Sequence, residues 1–199
     1  PGNLTLTVTY GWSEDNELSI LYEASTDADT LFNVTNHGYF NLNGEGHGDI
    51  MSHELFIDAD EITELDDSQA PTGKFIPVDG TPFDFRTPHT VGERIHDTTD
   101  QQIVNGTGYD HCYVLNKREP GELSFAVKCT EPVSGRVMEM YTTEPGVQFY
   151  SSNWLSGFKG THGATFGKYS ALCFEAQHFP DSPTGSSPRK EYCAQNNGP

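Results

Sequence analysis

Four short segments carry polar and ionisable side chains where an ordinary hydrophobic core would place apolar ones. The clearest case is Glu175, which directly follows the apolar run 171–174. A carboxylate inside such a run is costly unless it is paired or has a function. Imidazole and carboxylate groups are also the usual side chains for moving protons in proteins. The four segments are residues 35–42, 108–111, 145–150 and 174–181.

Each of these side chains also has a structural interpretation. His37 could be a hydrogen-bonded core histidine, and Glu175 could face solvent at the end of a strand. Asp110 could cap a turn, and Gln148 could be a satisfied buried amide. Trp154 is either a stacking platform or a core residue, with the core favoured. His111 and His178 are interpreted as structural residues or as residues at the rim of the site.

Apolar residues recur with a period of two, which predicts β-strands. The first strand is the clearest, since the apolar positions 4, 6, 8 and 10 alternate with threonines. No window shows a helical repeat, and the 20 Gly and 12 Pro residues fall mostly between the apolar runs. This pattern is typical of an antiparallel sandwich or barrel. The other predicted strands are residues 18–24, 31–35, 55–59, 137–141, 147–150 and 171–175.

The composition restricts the possible partners. A formal net charge of −18 over 199 residues would repel nucleic acid and anionic lipid surfaces, so neither is expected as a partner. No apolar stretch has the length of a membrane span. Only 11 Lys and Arg residues are present, without an Arg cluster, which disfavours phosphorylated ligands. A neutral ligand is therefore expected.

The chain is predicted to form one domain over residues 1–181, followed by an irregular tail over residues 182–199. Its compartment stays open between cytoplasmic and secreted. Glycosylation sequons begin at Asn3, Asn33 and Asn105. Asn33 falls in a predicted buried strand, so Asn3 and Asn105 are the candidate acceptors if the protein is secreted.

The cysteines give one specific prediction. Residues 119–122, Glu-Pro-Gly-Glu, predict a type II turn at the tip of a hairpin that includes Val114, Phe125 and Val127. Counting outward places Cys112 opposite Cys129 in a non-hydrogen-bonded pair, with Cα atoms about 4.5 Å apart. That separation allows a disulfide, and the alternative is two reduced cysteines side by side. No zinc-site spacing is present, so no metal is expected.

In their order and spacing, the four polar segments resemble the aldose 1-epimerase family. Family members carry segments of the types Thr-Asn-His-Ser-Tyr-Phe-Asn-Leu, Gly-Phe-Asp-His, Gly-Val-Gln-Phe-Tyr and Leu-Glu-Thr-Gln-x-Phe-Pro-Asp. This chain has Thr-Asn-His-Gly-Tyr-Phe-Asn-Leu at 35–42, Gly-Tyr-Asp-His at 108–111, Gly-Val-Gln-Phe-Tyr at 146–150 and Phe-Glu-Ala-Gln-His-Phe-Pro-Asp at 174–181. The region 71–86 looks like the family's linker, and the resemblance extends from Pro1 to about Asp181.

The resemblance implies an all-β fold, an antiparallel β-sandwich of the galactose mutarotase type. It implies interconversion of the α and β anomers of a free aldohexose, galactose or glucose, without metal or cofactor. His37 corresponds to the acid that protonates the ring oxygen, and Glu175 to the base that takes the proton of the C1 hydroxyl. The residues that correspond to the sugar-binding positions are Asn36, Gly38, Tyr39, Asp110 and Gln148.

Ring opening of a hemiacetal needs both groups, because O1 must lose a proton while O5 gains one. Each such transfer is typically worth about 10²–10⁴-fold in rate. Glu175 must be ionised and His37 protonated at the start. The attraction of the imidazolium is expected to keep the pKa of the Glu175 carboxyl low.

The chain departs from the family pattern in two ways. Family members have an amino-terminal half before the position of Pro1, which supplies strands, an Arg and a further His to the pocket. The missing half is therefore expected as a partner of this chain, and without it the sandwich is incomplete, with unpaired edges and a partly bare core. Gly38 and Ala176 replace a usual Ser and Thr, which removes hydroxyls near the site.

These departures keep an alternative function open, a non-catalytic carbohydrate-binding or extracellular structural module on the same fold. A third possibility, an epimerase of hexose 6-phosphates, needs a basic phosphate clamp that the sequence does not contain.

Overall fold

Two antiparallel sheets of alternating apolar and polar residues face one another across the core, which confirms the predicted all-β sandwich. The computed structural model describes residues 1–182 and 193–194. In chain order the strands are β1 (Leu4–Trp12), β2 (Leu18–Thr26), β3 (Thr30–Leu31), β4 (Glu54–Ile57), β5 (Ala59–Leu65), β6 (Pro71–Pro77), β7 (His89–Thr90), β8 (Asp110–Leu115), β9 (Ser124–Thr130), β10 (Val137–Thr142), β11 (Gly146–Tyr150), β12 (Phe158–Lys159), β13 (Thr165–Phe166), β14 (Cys173–Gln177) and β15 (Cys193–Ala194).

The larger sheet has five strands in the order β14-β11-β8-β5-β6, and the smaller has four in the order β10-β9-β4-β7. Three further antiparallel pairs are β1–β2, β12–β13 and β15–β3. The β1–β2 hairpin is long and regular, since its register runs without a break from Leu4 opposite Thr26 to Trp12 opposite Leu18.

The helices are short and lie in the connections. Helix α1 (Gln101–Gly106) begins after Asp100, whose carboxylate accepts hydrogen bonds from the backbone N–H groups of Gln102 and Ile103. This N-cap satisfies two donors that a first helical turn leaves unpaired. Single 3₁₀ turns occur at Val91–Glu93 and Thr161–Gly163. A single six-residue helix is too short to give the helical repeat that the sequence lacked.

Aromatic rings fill much of the space between the sheets. Phe149 of β11 stacks on Tyr109 with ring centroids 5.2 Å apart, and on Phe174 of β14 at 5.5 Å. All three rings are buried. Complete burial of a Phe side chain stabilises a fold by roughly 1.5–3 kcal/mol, so this stack fixes β11 against β14.

The predicted hairpin between Cys112 and Cys129 is wrong. The turn itself forms, with the Glu122 N–H donating to the Glu119 carbonyl at 3.3 Å and Gly121 at a φ of 75°. However, the eight residues 116–123 between β8 and β9 let the chain cross to the other sheet. Cys112 therefore lies opposite Gln148, while Cys129 lies opposite Met138 and Leu55. Both thiols are buried and free, so neither the disulfide nor a side-by-side pair exists.

Two of the predictions about the sequons also need correction. The run 31–35 is a strand only at its start, and Asn33 is exposed rather than buried, with its side chain hydrogen bonded to the His178 backbone. Asn105 lies in α1 and is only 8% exposed. Its amide nitrogen donates to the Leu65 carbonyl at 2.7 Å, so it is not an accessible glycan acceptor.

The β1–β2 hairpin presents apolar side chains to solvent. Cross-strand partners point to the same face of a hairpin. One face therefore carries every apolar residue of β1 and its partners on β2, whereas the opposite face carries mainly Thr and Ser. On the apolar face Trp12 is 71% exposed. The other large hydrophobic side chains that are exposed on this face are Leu4, Leu6, Val8, Tyr10 and Leu18.

The predicted tail is described only in part. Cys193–Ala194 forms β15 against Thr30–Leu31, and residues 183–192 and 195–199 lie outside the described residues. Among the residues that are described, no helix is long and apolar enough to cross a bilayer.

The cysteine pairing is directly testable. When the protein is denatured without reductant and treated with iodoacetamide, we expect Cys112 and Cys129 to be carbamidomethylated, because both are free thiols. Peptide mass mapping measures this for each site. A Cys112–Cys129 cross-linked peptide, or protection that only dithiothreitol removes, would contradict the observed strand order.

Candidate active site

Strand alternation on β11 separates a core face from a polar face. Val147 and Phe149 point into the core between the sheets. Gln148 lies between them and therefore points to the opposite face of the five-stranded sheet. The same alternation on β14 sends Phe174 to the core and Glu175 to the outer face.

The register of three adjacent strands brings the polar side chains together on this outer face. Gln148 of β11 lies directly opposite Glu175 of β14, and Tyr150 lies opposite Asp110 of β8. The Gln148 amide nitrogen donates to the Asp110 carboxylate at 2.8 Å, which joins two diagonal neighbours. Asp110, Gln148 and Glu175 are therefore carried by paired strands rather than by loops.

His37 reaches this face from a segment without regular structure. Phe40 and Leu172 form an isolated antiparallel bridge, with both N–H···O distances at 2.8 Å. Since Leu172 directly precedes β14, the bridge holds the preceding residues 37–39 against the strand that carries Glu175. The His37 Nε2 atom lies 3.4 Å from Glu175 Oε1.

Further hydrogen bonds hold the residues that follow His37 in the same segment. The Leu42 N–H donates to Nε2 of the buried His53 at 3.1 Å. Asn41 donates from its side chain to the Ser170 carbonyl at 3.1 Å. These contacts at residues 40–42 hold the segment just after His37, so the segment positions the imidazole without belonging to a sheet.

Asn36 and Gly38 differ from the other predicted site residues, because neither lines the cavity. The side-chain carbonyl oxygen of Asn36 accepts a hydrogen bond from the Gly38 backbone N–H at 3.2 Å, and the side-chain amide nitrogen of Asn36 donates to the Tyr10 hydroxyl at 3.1 Å. A Cβ on Gly38 would lie 2.9 Å from that carbonyl oxygen, so a serine would crowd this bond. Both residues thus shape the turn around His37, and the β1–β2 hairpin contributes to it through Tyr10.

Three rings form one wall of the site. The His37 imidazole stacks on Tyr39 with centroids 5.0 Å apart and an angle of 14° between the planes. Tyr150 meets both rings edge-on, at 6.3 Å from His37 and 6.5 Å from Tyr39. Such ring contacts restrict the orientations of the imidazole.

A cavity of about 480 Å³ opens over these side chains. It brings together five of the predicted residues, and three more that sequence reasoning missed: Tyr150, Gln177 and Pro180. Tyr150 and Gln177 could have been found, because each follows a predicted site residue by two positions and so shares its face. The five predicted residues in the lining are His37, Tyr39, Asp110, Gln148 and Glu175.

Burial dominates the electrostatics of the two carboxylates. It raises the pKa of Glu175, and the nearby Asp110 raises it further, whereas the charge of His37 acts to lower it. The expectation that the imidazolium would keep this pKa low is therefore wrong. The Glu175 side chain is only 11% exposed, so its carboxylate has lost most of its hydration. The His37 side chain is 49% exposed, so water screens the attraction of its charge for the carboxylate. Burial likewise raises the pKa of Asp110, against a hydrogen bond from Gln148.

The remaining residues with a structural interpretation fall in different places. His111 is buried against Phe83, with ring centroids 4.5 Å apart, and burial lowers its pKa to about 3. His178 forms an ion pair with Glu144. Trp154 is exposed, so its interpretation as a core residue is wrong. Within the described residues, no three His, Cys, Asp or Glu side chains form a group that could hold a metal ion.

The raised pKa of Glu175 predicts a stability effect. An acid whose pKa is higher in the folded than in the unfolded state destabilises the fold above both values, and this cost vanishes as the pH falls through them. We therefore expect Glu175→Gln to raise the melting temperature at pH 7, with a gain that shrinks as the pH falls through the raised pKa of Glu175 and then through the ordinary pKa of a glutamate. Differential scanning calorimetry at several pH values measures it, with the exposed Glu93→Gln as the matched control. A loss of stability at pH 7 would contradict the dominance of burial.

The chain is similar to known proteins over most of its length. The family model described as aldose 1-epimerase matches residues 1–197. A mouse galactose mutarotase is 43% identical over 183 residues, which are 92% of this chain and 51% of that protein. An Escherichia coli aldose 1-epimerase is 37% identical over 183 residues, covering 92% of this chain and 52% of its own length.

Solved structures agree as well. The GalM/aldose epimerase homologue from C. elegans superposes with a TM-score of 0.77 at 31% identity, over 89% of this chain and 51% of that one. Galactose 1-epimerase from Lactobacillus acidophilus gives a TM-score of 0.76 at 32% identity, over 90% and 50%. This chain thus spans about half the length of the curated relatives it matches. By its family model, its sequence and its fold, the chain belongs to the aldose 1-epimerase family.

Proposed function

We propose that the protein interconverts the α and β anomers of a free aldohexose, galactose or glucose, by general acid–base catalysis. The observation that carries this proposal is the His37–Glu175 pair, 3.4 Å apart in one polar cavity on the outer face of a sheet. The printed names of the relatives, galactose mutarotase and aldose 1-epimerase, support the same reaction.

In the proposed reaction Glu175 removes the proton from the C1 hydroxyl while His37 donates a proton to the ring oxygen O5. The C1–O5 bond breaks, its electron pair goes to O5, and O1 becomes the oxygen of an open-chain aldehyde. After rotation about the C1–C2 bond, O5 attacks C1 from the other face of the aldehyde. The neutral His37 takes the proton back from the O5 hydroxyl, and the protonated Glu175 returns its proton to O1. No proton or electron is gained or lost overall, so the reaction runs in either direction.

The close contact between the acid and the base suits this chemistry. O1 and O5 are bonded to the same carbon, so two groups 3.4 Å apart can each reach one of them. The raised pKa of Glu175 brings its basicity nearer to neutral pH, where proton transfer by a carboxylate is more effective. The sugar also replaces water around the pair, which strengthens the interactions with the developing charges.

The remaining polar groups of the cavity favour a neutral sugar. Asp110 and Gln148 present an acceptor and an amide to the hydroxyl groups of the ring. Tyr39 and Tyr150 offer aromatic surface beside them. Among the residues that the structure describes, no Lys or Arg lines the cavity, whereas a phosphorylated substrate would need positive charge there. The substrate-binding roles of Asn36 and Gly38 become indirect in this proposal, because both act on the turn that carries His37.

The partner proposed for this chain is a further segment of the same kind of domain, packed on the apolar face of the β1–β2 hairpin. The relatives are about twice as long as the matched region, which leaves room for such a segment. Apolar side chains concentrated on one face of a hairpin are the expected signature of a surface that another element covers. Because Tyr10 of the same hairpin contacts Asn36, this packing would also support the turn at His37.

Substitution on the hairpin tests that partner. In the native protein we expect Leu6→Ser to lower the melting temperature by roughly 3–10 °C, because it removes a Leu side chain from a buried contact. Thr7→Ser, on the opposite face of the same strand, is the control and should change little. Equal melting temperatures for both variants would show that the apolar face is not covered.

Polarimetry tests the reaction itself. The native protein should accelerate the mutarotation of freshly dissolved α-D-galactose or α-D-glucose above the buffer rate. We expect His37→Asn and Glu175→Gln each to reduce kcat by about 10²–10⁴-fold, because each removes one proton transfer. The controls are His162→Asn and Glu93→Gln, which change exposed side chains outside the cavity. A native protein that binds these sugars without accelerating mutarotation would instead support the non-catalytic binding module.

A further inference from the structure

Gln177 brings an unused amide group to the cavity. It is the last residue of β14 and lines the cavity together with Glu175, two positions before it. Because side chains two positions apart share one face of a strand, both point away from the core. The other amide of the lining, that of Gln148, already donates to Asp110. Among the described residues, the Gln177 side chain has no hydrogen-bond partner.

The backbone on both sides of this amide is fixed by packing. Gln177 pairs with Gly146 of β11. A Cβ on Gly146 would lie 3.1 Å from the ring of Phe179, so the ring occupies the space that the missing side chain leaves. The ring is buried and packs on Phe75, with ring centroids 4.9 Å apart. The chain after β14 therefore folds back over the sheet, which brings Pro180 into the lining of the cavity.

Hydrogen bonds from Asn33 hold the residue between Gln177 and Phe179. The side-chain carbonyl oxygen of Asn33 accepts from the His178 backbone N–H at 3.1 Å, and its amide nitrogen donates to the His178 carbonyl at 3.2 Å. Gln177 thus has a fixed backbone and a free amide, which offers one acceptor and two donors. A polar group prepared in this way can bind a ligand without first giving up a bond to the protein.

The register determines which part of a sugar this amide meets. Two residues of a strand span about 6.8 Å, so Gln177 lies well away from Glu175 and from the O1 and O5 atoms that react beside it. Gln177 pairs with Gly146, whereas Asp110 pairs with Tyr150, and these partners are the two ends of β11. Gln177 and Asp110 therefore lie at opposite ends of the cavity.

We propose that Gln177 is a further sugar-binding residue, which hydrogen bonds one hydroxyl of the hexose other than O1 and makes the protein select for that hydroxyl. This inference rests on the proposed function, which places a free aldohexose in the cavity. A neutral amide suits a hydroxyl, because both groups donate and accept. A sugar without that hydroxyl leaves the amide without its partner and binds less tightly.

The test is Gln177→Met, which keeps an unbranched side chain of similar length and removes the amide. We expect KM for galactose to rise about three- to tenfold, as for the loss of a neutral hydrogen bond, while kcat stays within about twofold. The matched control is Gln101→Met, the same change at an exposed glutamine of α1 that does not line the cavity. Since the amide of Gln177 has no partner in the protein, the variant should keep the wild-type melting temperature.

Deoxy sugars distinguish a direct contact from a general change in the cavity. The native protein and Gln177→Met are compared with D-galactose and with its 2-, 3-, 4- and 6-deoxy derivatives. If Gln177 binds one hydroxyl, the derivative that lacks it should have the same KM with both proteins, whereas the other sugars keep the full increase. An equal increase with every sugar would overturn the inference, and so would an unchanged KM for galactose.

The outcome can be told apart from a failure of the proposed reaction. If the native protein does not accelerate mutarotation, that reaction fails, and the same proteins and sugars are compared by calorimetric titration. A Kd for galactose about three- to tenfold higher with Gln177→Met, and unchanged for one deoxy derivative, would then support Gln177 as a ligand of the sugar in a binding module. An unchanged Kd for galactose, or no detectable binding by the native protein, would overturn the inference.

Discussion

The antiparallel register of β8, β11 and β14 is the constraint on which the site depends. It places Gln148 opposite Glu175 and Tyr150 opposite Asp110, so that three carboxylate or amide groups share one face. The other face of the same strands holds Val147, Phe149 and Phe174 in the core. A shift of one residue in either pairing would exchange these faces, burying the polar groups and exposing the aromatic ones. The aromatic stack that stabilises the sandwich therefore also secures the position of the site.

The site keeps a cost that a purely structural surface would avoid. Glu175 is nearly buried and has a half-exposed imidazole as its partner, so the loss of hydration outweighs the attraction. When it is ionised, such a carboxylate costs stability, but its raised pKa makes it a better base. Burial chiefly raises the pKa of the Tyr39 and Tyr150 hydroxyls, and the nearby Asp110 and Glu175 carboxylates add to that effect. The surrounding sheet supplies the stability that the site itself does not.

His37 and its neighbour Tyr39 differ from the other predicted residues of the cavity because no sheet carries them. The Phe40–Leu172 bridge, the Leu42–His53 bond and the Asn36 contacts together replace the missing strand pairing. Asn36 extends this support to Tyr10, and so to the hairpin with the exposed apolar face. The acid and the base are thus held by different parts of the molecule. A turn anchored at several points carries His37, and the five-stranded sheet carries Glu175. Packing on the hairpin and geometry at His37 are therefore linked.

Much of this could be predicted from the sequence. Period-two alternation indicated the β class and most strands. Polar residues where a core would place apolar ones pointed to His37, Asp110, Gln148 and Glu175, and the cavity brings these four side chains together. Alternation is a local property, because neighbouring side chains on a strand must point to opposite faces. Which strands pair is not local, and only the tertiary structure decided it. The turn at 119–122 was predicted correctly, yet the chain after it joins the other sheet, which separates Cys112 from Cys129. The balance of charge and burial at Glu175 was also out of reach, because desolvation depends on everything that packs around a side chain.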